Sequence, residues 1–292
     1  MDDIDLHTHS TCSDGTLTPR QVVDLAKSTG LRAVALTDHD TVAGVGEALA
    51  AGDEVGIEVV AGVEISAACP AGSMHILGYY LSPTHAELAA VLRRLRDGRA
   101  ARAPQIVERL RNLGLEITLD EIMDLAGGQV GRTHIAQALV NRGYVPSASE
   151  AFTRYLRRGR PGYVDRVRLP PEEVIGVIRQ ASGLAALAHP STLALDQPGD
   201  LSALVARLKA MGLEGMEVLS PYHTREMTRV YEEVARRHGL LCTGGSDFHG
   251  GLSDHRDLGG ARLGLRLPYA LLDGLKTRIV ERQRRSGRGI GP

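Results

Sequence analysis

Seven short apolar runs recur along the chain: IDLHTH, RAVALT, EVVAGVEI, HILGYYL, GLAALAH, GMEVLS and LLCTGGSD. Most are separated by segments whose apolar residues return at helical spacing, the alternation expected of parallel strands crossed by helices in an α/β fold. The first helix is marked by Thr18 as its cap, Pro19 at its first position, an apolar stripe of Val22, Val23, Leu25 and Ala26, and Gly30 as its stop. Another helix is expected from Pro171 to Ser182, stopped by Gly183, and later ones over 202–211, 224–238 and 269–283. Between the fourth and fifth runs a long segment has no strand pattern, but LAAVLRRLRDGRAARAPQIVERLRNLG and THIAQALVNRG carry helical periodicity, so this part reads as a helical insert. The closing RRSGRGIGP has nothing to bury and is predicted to be disordered.

A length of 292 residues with 43% hydrophobic residues fits one barrel-type domain, or one domain with a smaller insert. The start, MDDIDLHTHS, has neither a basic nor an apolar leader pattern, and no stretch is apolar enough to span a bilayer, so a cytoplasmic location without membrane partners is expected. Three cysteines, Cys12, Cys69 and Cys242, without paired spacing argue against a disulfide framework and against a cysteine-based zinc site. Net charge is near zero but uneven: from Thr84 to Arg168 there are 15 arginines against 9 acidic residues, so a basic middle interrupts an acidic body. Such a surplus either solvates helix faces or meets a polyanionic substrate.

The first run ends in two histidines one residue apart. In an extended strand His7 and His9 share a face, where both imidazoles can reach one cation. The pair gains meaning from what the other runs deliver. His39 follows the second, Glu64 closes the third, His75 opens the fourth, His189 closes the fifth, Asp247 and His249 follow the seventh, and Asp14 lies in the loop after the first. In a parallel barrel the carboxyl ends of the strands converge on one mouth. Nine ligand-type side chains are too many for one ion and suit three, and imidazole with carboxylate but no thiolate suits Mn²⁺, Fe²⁺ or Zn²⁺ in an open catalytic site. Clustered ions can acidify a water to hydroxide and neutralise phosphoryl oxygens, which is what phosphate ester hydrolysis needs.

The motifs DLHTHSTCSDG, LTDHDT, GVEIS, HILGY, LAHP and GSDFH, in this order, resemble those of the polymerase and histidinol phosphatase (PHP) family of metal-dependent phosphoesterases across nearly the whole chain. GRTHIAQALVNRGY and AFTRYLRRGRPGYV resemble a bacterial branch that removes the 3′-phosphate of nucleoside 3′,5′-bisphosphates or trims short RNA from its 5′ end. The resemblance implies a distorted (β/α)7, TIM-barrel-like fold over 1–83 and 169–284, a helical insertion over 84–168 and a tail over 285–292. It implies three divalent ions: one on His7, His9, Glu64 and Asp247, one on Glu64, His75 and His189, and one on Asp14, His39 and His249. Glu64, shared by two ions, is then a catalytic residue. The resemblance places Arg132 and His134 at the substrate phosphate, where a guanidinium can bind bidentately and an imidazole can give a second hydrogen bond or a proton. Asp38 or Asp40 could orient His39, His223 lies at the right end of the barrel to approach substrate, and His85, His238 and His255 read as surface residues. The substrate implied is a small nucleotide or short RNA, with no obligate protein partner. Histidinol phosphate hydrolysis and a non-enzymatic polymerase-accessory role are the alternatives; the insert disfavours the first, and the lack of a polymerase portion the second.

Overall fold

Thr18 caps its helix as its position predicts. Its hydroxyl accepts the Gln21 N–H at 3.2 Å, and the Gln21 side chain accepts the Thr18 N–H at 2.9 Å. A computed structural model describes residues 3–70, 72–126, 130–195, 198–250 and 257–285. Its strands are β1 (Ile4–Thr8), β2 (Ala33–Leu36), β3 (Glu58–Ala67), β4 (Met74–Tyr79), β5 (Leu184–Leu187), β6 (Gly215–Leu219) and β7 (Leu241–Gly244). They form one seven-stranded sheet in sequence order. Beyond β7, Thr8 pairs with Phe248, and the His9 N–H donates to the Phe248 carbonyl at 2.8 Å, so the sheet curls into a nearly closed, distorted barrel.

The sheet is mixed. β4 runs antiparallel to both β3 and β5, whereas all other neighbours are parallel. The apolar runs led to the expectation of mostly parallel strands, and β4 departs from it. Only residues 68–73 separate β3 from β4, too few for the crossover a parallel pair requires. The pairing also slips between Asp5 and Thr8 of β1 and between Glu217 and Leu219 of β6, irregularities that re-aim the side chains beside them.

Helices α1 (Pro19–Ser28) and α2 (Val45–Val55) cover β2 with a layer of Val22, Val23, Ala26, Ala48 and Ala51 against Val34 and Leu36. α2 carried no clear signal in the sequence, since Gly44 caps it without a side chain and its body is rich in alanine and glycine. The chain continues through α3 (Ala86–Ala100), α4 (Arg102–Arg111), α5 (Leu119–Ala126), α6 (Arg132–Asn141) and α7 (Ala148–Ala151). It returns through α8 (Pro171–Gln180), α9 (Pro198–Met211), α10 (Arg225–Arg237) and α11 (Ala270–Arg285). Arg285 ends α11, and the rest of the predicted tail lies outside the described residues.

The chain divides into two compact units, Met1–Val91 with Leu169–Pro292, and Leu92–Arg168. Each has its own apolar core. Ile4, Leu6, Leu77, Leu184 and Ala186 lie in that of the barrel, and Ile106, Leu110, Ile117, Ile122, Ile135, Leu139 and Leu156 in that of the helical unit. Among the described residues no helix is long and apolar enough to cross a membrane.

Candidate metal centre

The loop after β1 is tied to the loop after β2 by one carboxylate. Asp38 accepts the Ser10 N–H at 2.7 Å and the Ser10 and Ser13 hydroxyls at 2.6 Å each. At Gly15 the chain passes so close to the His9 carbonyl that a Cβ would collide with backbone. The loop thereby brings Asp14 to His249, His39 and His9, with nitrogen–oxygen distances of 3.3, 3.8 and 3.9 Å.

Glu64, fully buried on β3, is the hub. Its Oε1 lies 2.7 Å from His75 Nδ1 and 2.9 Å from His189 Nε2. Its Oε2 lies 2.9 Å from His39 Nδ1, 3.3 Å from His7 Nε2 and 3.4 Å from His9 Nε2. His75 reaches it because Ser66 pairs with His75 in the antiparallel register, one step along the same face from Glu64. The direction of β4 also explains how a residue opening its strand arrives at the mouth where the parallel strands end.

Asp247 sits in the left-handed region at φ 53°, a strained setting that a short polar side chain tolerates. Its Oδ1 lies 3.1 Å from His9 Nε2 and 3.4 Å from His7 Nε2, and its Oδ2 accepts the Tyr222 hydroxyl at 2.6 Å. All nine candidate ligands thus converge. Among the described residues three sets lie close enough to share a cation: His7, His9, Glu64 and Asp247; His9, Asp14, His39 and His249; and His39, Glu64 and His75. His9 and His39 each join two sets, so the cluster is more continuous than three separate groups, and His189 enters through Glu64 Oε1.

These neighbours pull one another's protons apart. Burial disfavours charge on His7, but Glu217, Glu64 and Asp247 outweigh it and hold the imidazole well above its ordinary range. His9 is driven down to about 3 by burial and by His249, despite Asp247. Burial opposes ionisation of Glu64 and Asp247, yet the surrounding imidazoles hold both well below the usual carboxylate range. Opposed shifts in one enclosed cluster are characteristic of working sites. The donors also fit a divalent cation: His7 Nε2, both ring nitrogens of His9, Asp14 Oδ1 and Glu64 Oε2 are buried without a hydrogen-bond partner, a costly state that coordination relieves.

Arg132 and His134 belong to the helical unit. Arg132 Nη1 donates to the Leu156 carbonyl at 3.0 Å, and its guanidinium lies over Phe152 and Tyr163, 5.5 and 5.8 Å from the ring centres. His134 Nδ1 accepts the Gly131 N–H at 3.0 Å, which leaves the ring proton on Nε2. Asp40 accepts the Ser66 N–H at 3.0 Å, and so, like Asp38, braces a neighbouring loop or strand. His223 donates from Nδ1 to the Val218 carbonyl at 2.9 Å and packs edge-on against Tyr231, and burial lowers its pKa. His85 faces Glu87, His238 meets Ser202, and His255 lies outside the described residues. Two residues at the centre escaped the sequence reading. Glu217 could have been flagged as a carboxylate inside the apolar run GMEVLS; Tyr222 stands next to the histidine of SPYH that drew attention instead.

Residues 5–163 match the model of the PHP domain. The chain is 37% identical over 261 residues to a 3′,5′-nucleoside bisphosphate phosphatase of Chromobacterium violaceum, covering 89% of this chain and 91% of that protein. It is likewise 37% identical over 246 residues to a 5′-3′ exoribonuclease of Haemophilus influenzae, covering 84% and 89%. The structure of an inferred metal-dependent phosphoesterase from Bifidobacterium adolescentis superposes with a TM-score of 0.83 at 31% identity, covering 95% of this chain and 96% of that one. A barrel whose strand ends gather nine imidazoles and carboxylates, and whose sequence follows these enzymes nearly end to end, belongs to the PHP domain family of metal-dependent phosphoesterases.

Proposed function

We propose that this enzyme hydrolyses a phosphate ester at the end of a nucleotide, the 3′-phosphate of a nucleoside 3′,5′-bisphosphate or the first linkage of a short 5′-phosphorylated RNA. The observation that carries the reading is Glu64, a buried carboxylate with two imidazoles on one oxygen and three on the other. With donors grouped on both oxygens, it could bridge two cations. His7, His9 and Asp247 would complete one site, His75 and His189 a second, and Asp14, His39 and His249 a third, suited to Mn²⁺, Fe²⁺ or Zn²⁺. Such ions would supply charge neutralisation on the phosphoryl oxygens and acidify a water for in-line attack.

The chain's own groups do the rest. Tyr222 engages Asp247 Oδ2 and leaves Oδ1 toward the imidazoles. Arg132, braced by Leu156 and two rings, is the candidate grip for a second phosphate, and His134 the candidate Nε2–H donor beside it. The names of the two similar enzymes favour this substrate class, since one is a 3′,5′-nucleoside bisphosphate phosphatase and the other a 5′-3′ exoribonuclease. A panel of adenosine 3′,5′-bisphosphate, a 5′-phosphorylated oligoribonucleotide and histidinol phosphate, assayed with Mn²⁺ and again with chelator, tests it. Metal-dependent phosphate or nucleotide release from the first two and not the third supports the reading; preference for histidinol phosphate overturns it.

A further inference from the structure

Glu217 lies in β6, opposite Thr243 of β7, and is fully buried. Its two oxygens are taken by two candidate ligands that the proposed metal centre assigns to different ions. Oε2 accepts the backbone N–H of His189 at 2.7 Å, and Oε1 lies 3.1 Å from His7 Nδ1. The far nitrogen of His7, Nε2, points between Glu64 Oε2 and Asp247 Oδ1, 3.3 and 3.4 Å away.

We infer that Glu217 is a positioning residue that fixes the tautomer of His7 and couples its orientation to the strand end bearing His189. This inference rests on the metal-centre assignment above. An ionised carboxylate can only accept. The His189 N–H can only donate, so it claims one oxygen; the other must then be met by a proton on His7 Nδ1. With Nδ1 protonated, Nε2 presents its lone pair to the cation position, and the adjacent negative charge makes that lone pair a better donor. One carboxylate therefore sets one ligand by its ring and another by its backbone. The account also explains why a charged group is kept in an otherwise apolar strand, GMEVLS, where an isosteric apolar residue would cost nothing to desolvate.

Two substitutions separate this role from simple space filling, because they rank in opposite orders under the two accounts. Glu217→Gln keeps the shape but replaces one oxygen with an NH₂. The fixed His189 donor claims the amide oxygen, the NH₂ faces His7 Nδ1, and the ring must carry its proton on Nε2, where the cation should be. Glu217→Asp is smaller but remains acceptor-only and leaves the tautomer intact. If Glu217 sets the tautomer, Gln weakens metal retention by about 10- to 100-fold, the range typical for a lost outer partner, and Asp weakens it less. If Glu217 only fills space, Asp is the worse substitution. The readout is metal per chain in the loaded protein, titrated with a competing chelator. Imidazole ¹⁵N spectra of the zinc-loaded protein provide a second readout, expected to show His7 protonated at Nδ1 in the parent and the Asp variant. Full metal retention in Glu217→Gln, or a larger loss in Glu217→Asp, overturns the inference. A parent protein that binds no divalent ion would instead overturn the metal-centre assignment. If Glu217→Gln does not fold, the spectrum of the Asp variant and the parent still decides: a His7 ring protonated at Nε2 contradicts it.

Discussion

His249 carries a clear pH signature among the nine converging side chains. Burial pushes its imidazole down, but Asp14 and Asp247 outweigh burial and raise it to about 9. A raised folded pKa means that this histidine stabilises the metal-free protein fully below its ordinary value of 6.5, and that the contribution is lost as pH rises through 9. It also means that below pH 9 a cation must displace a proton to bind there. Metal affinity should therefore climb with pH, by up to about tenfold per unit from this group alone, and flatten above pH 9. Titration calorimetry in buffers of different ionisation heat reads the released protons directly. His249→Gln should remove about one released proton at pH 7; unchanged release would dissociate His249 from the site. At this scale the sequence was legible where ligand-type residues recur at strand ends, since His7, His9, Glu64, His75 and His189 lie at the ends of apolar runs and His39 and Asp247 follow such runs. It was not legible for Glu217 and Tyr222, which have no partner at a telling spacing.

Strand ends meet closely at β1 and β7. A Cβ at Gly245 would fall on the backbone and Cβ of His7, so the strand that carries the histidine pair and the segment that leads to Asp247 can only approach through a glycine. Gly245→Ala should cost about 1–3 kcal/mol as an overpacking change, seen as a lower urea midpoint, and should loosen metal bound by His7 and Asp247. A variant with parental stability and metal content would show that the closure is not needed. The other lesson at this scale is β4. Its apolar run identified a strand and His75 a ligand, but direction is a property of the connection. A six-residue link, 68–73, makes a hairpin where a parallel reading needs a crossover. The Thr18 cap was the most legible local feature, accepting a backbone N–H at the helix start its position marks; Thr224, where a helix was expected to begin, does the same. α2, with no side-chain cap, was not.

At the scale of the whole molecule, an acidic barrel unit is interrupted by a basic helical one with its own core. If the helical unit reads the substrate, Arg132→Ala should lower kcat/KM for a 3′,5′-bisphosphate by roughly 10- to 150-fold, the worth of a charge-assisted bidentate contact of about 1.5–3 kcal/mol. Hydrolysis of p-nitrophenyl phosphate should scarcely change. Equal losses would place Arg132 on the reacting phosphoryl group, and no loss would remove the unit from substrate recognition. The central proposal, though, is that one carboxylate, Glu64, would hold two cations in the barrel mouth. Its most direct test is metal content per chain measured beside turnover of adenosine 3′,5′-bisphosphate, in the parent and in Glu64→Ala. The account predicts that the variant stays folded, loses close to two ions together, and loses more turnover than the roughly 100-fold upper range for an outer partner. Undiminished metal with activity near that of the parent would contradict it.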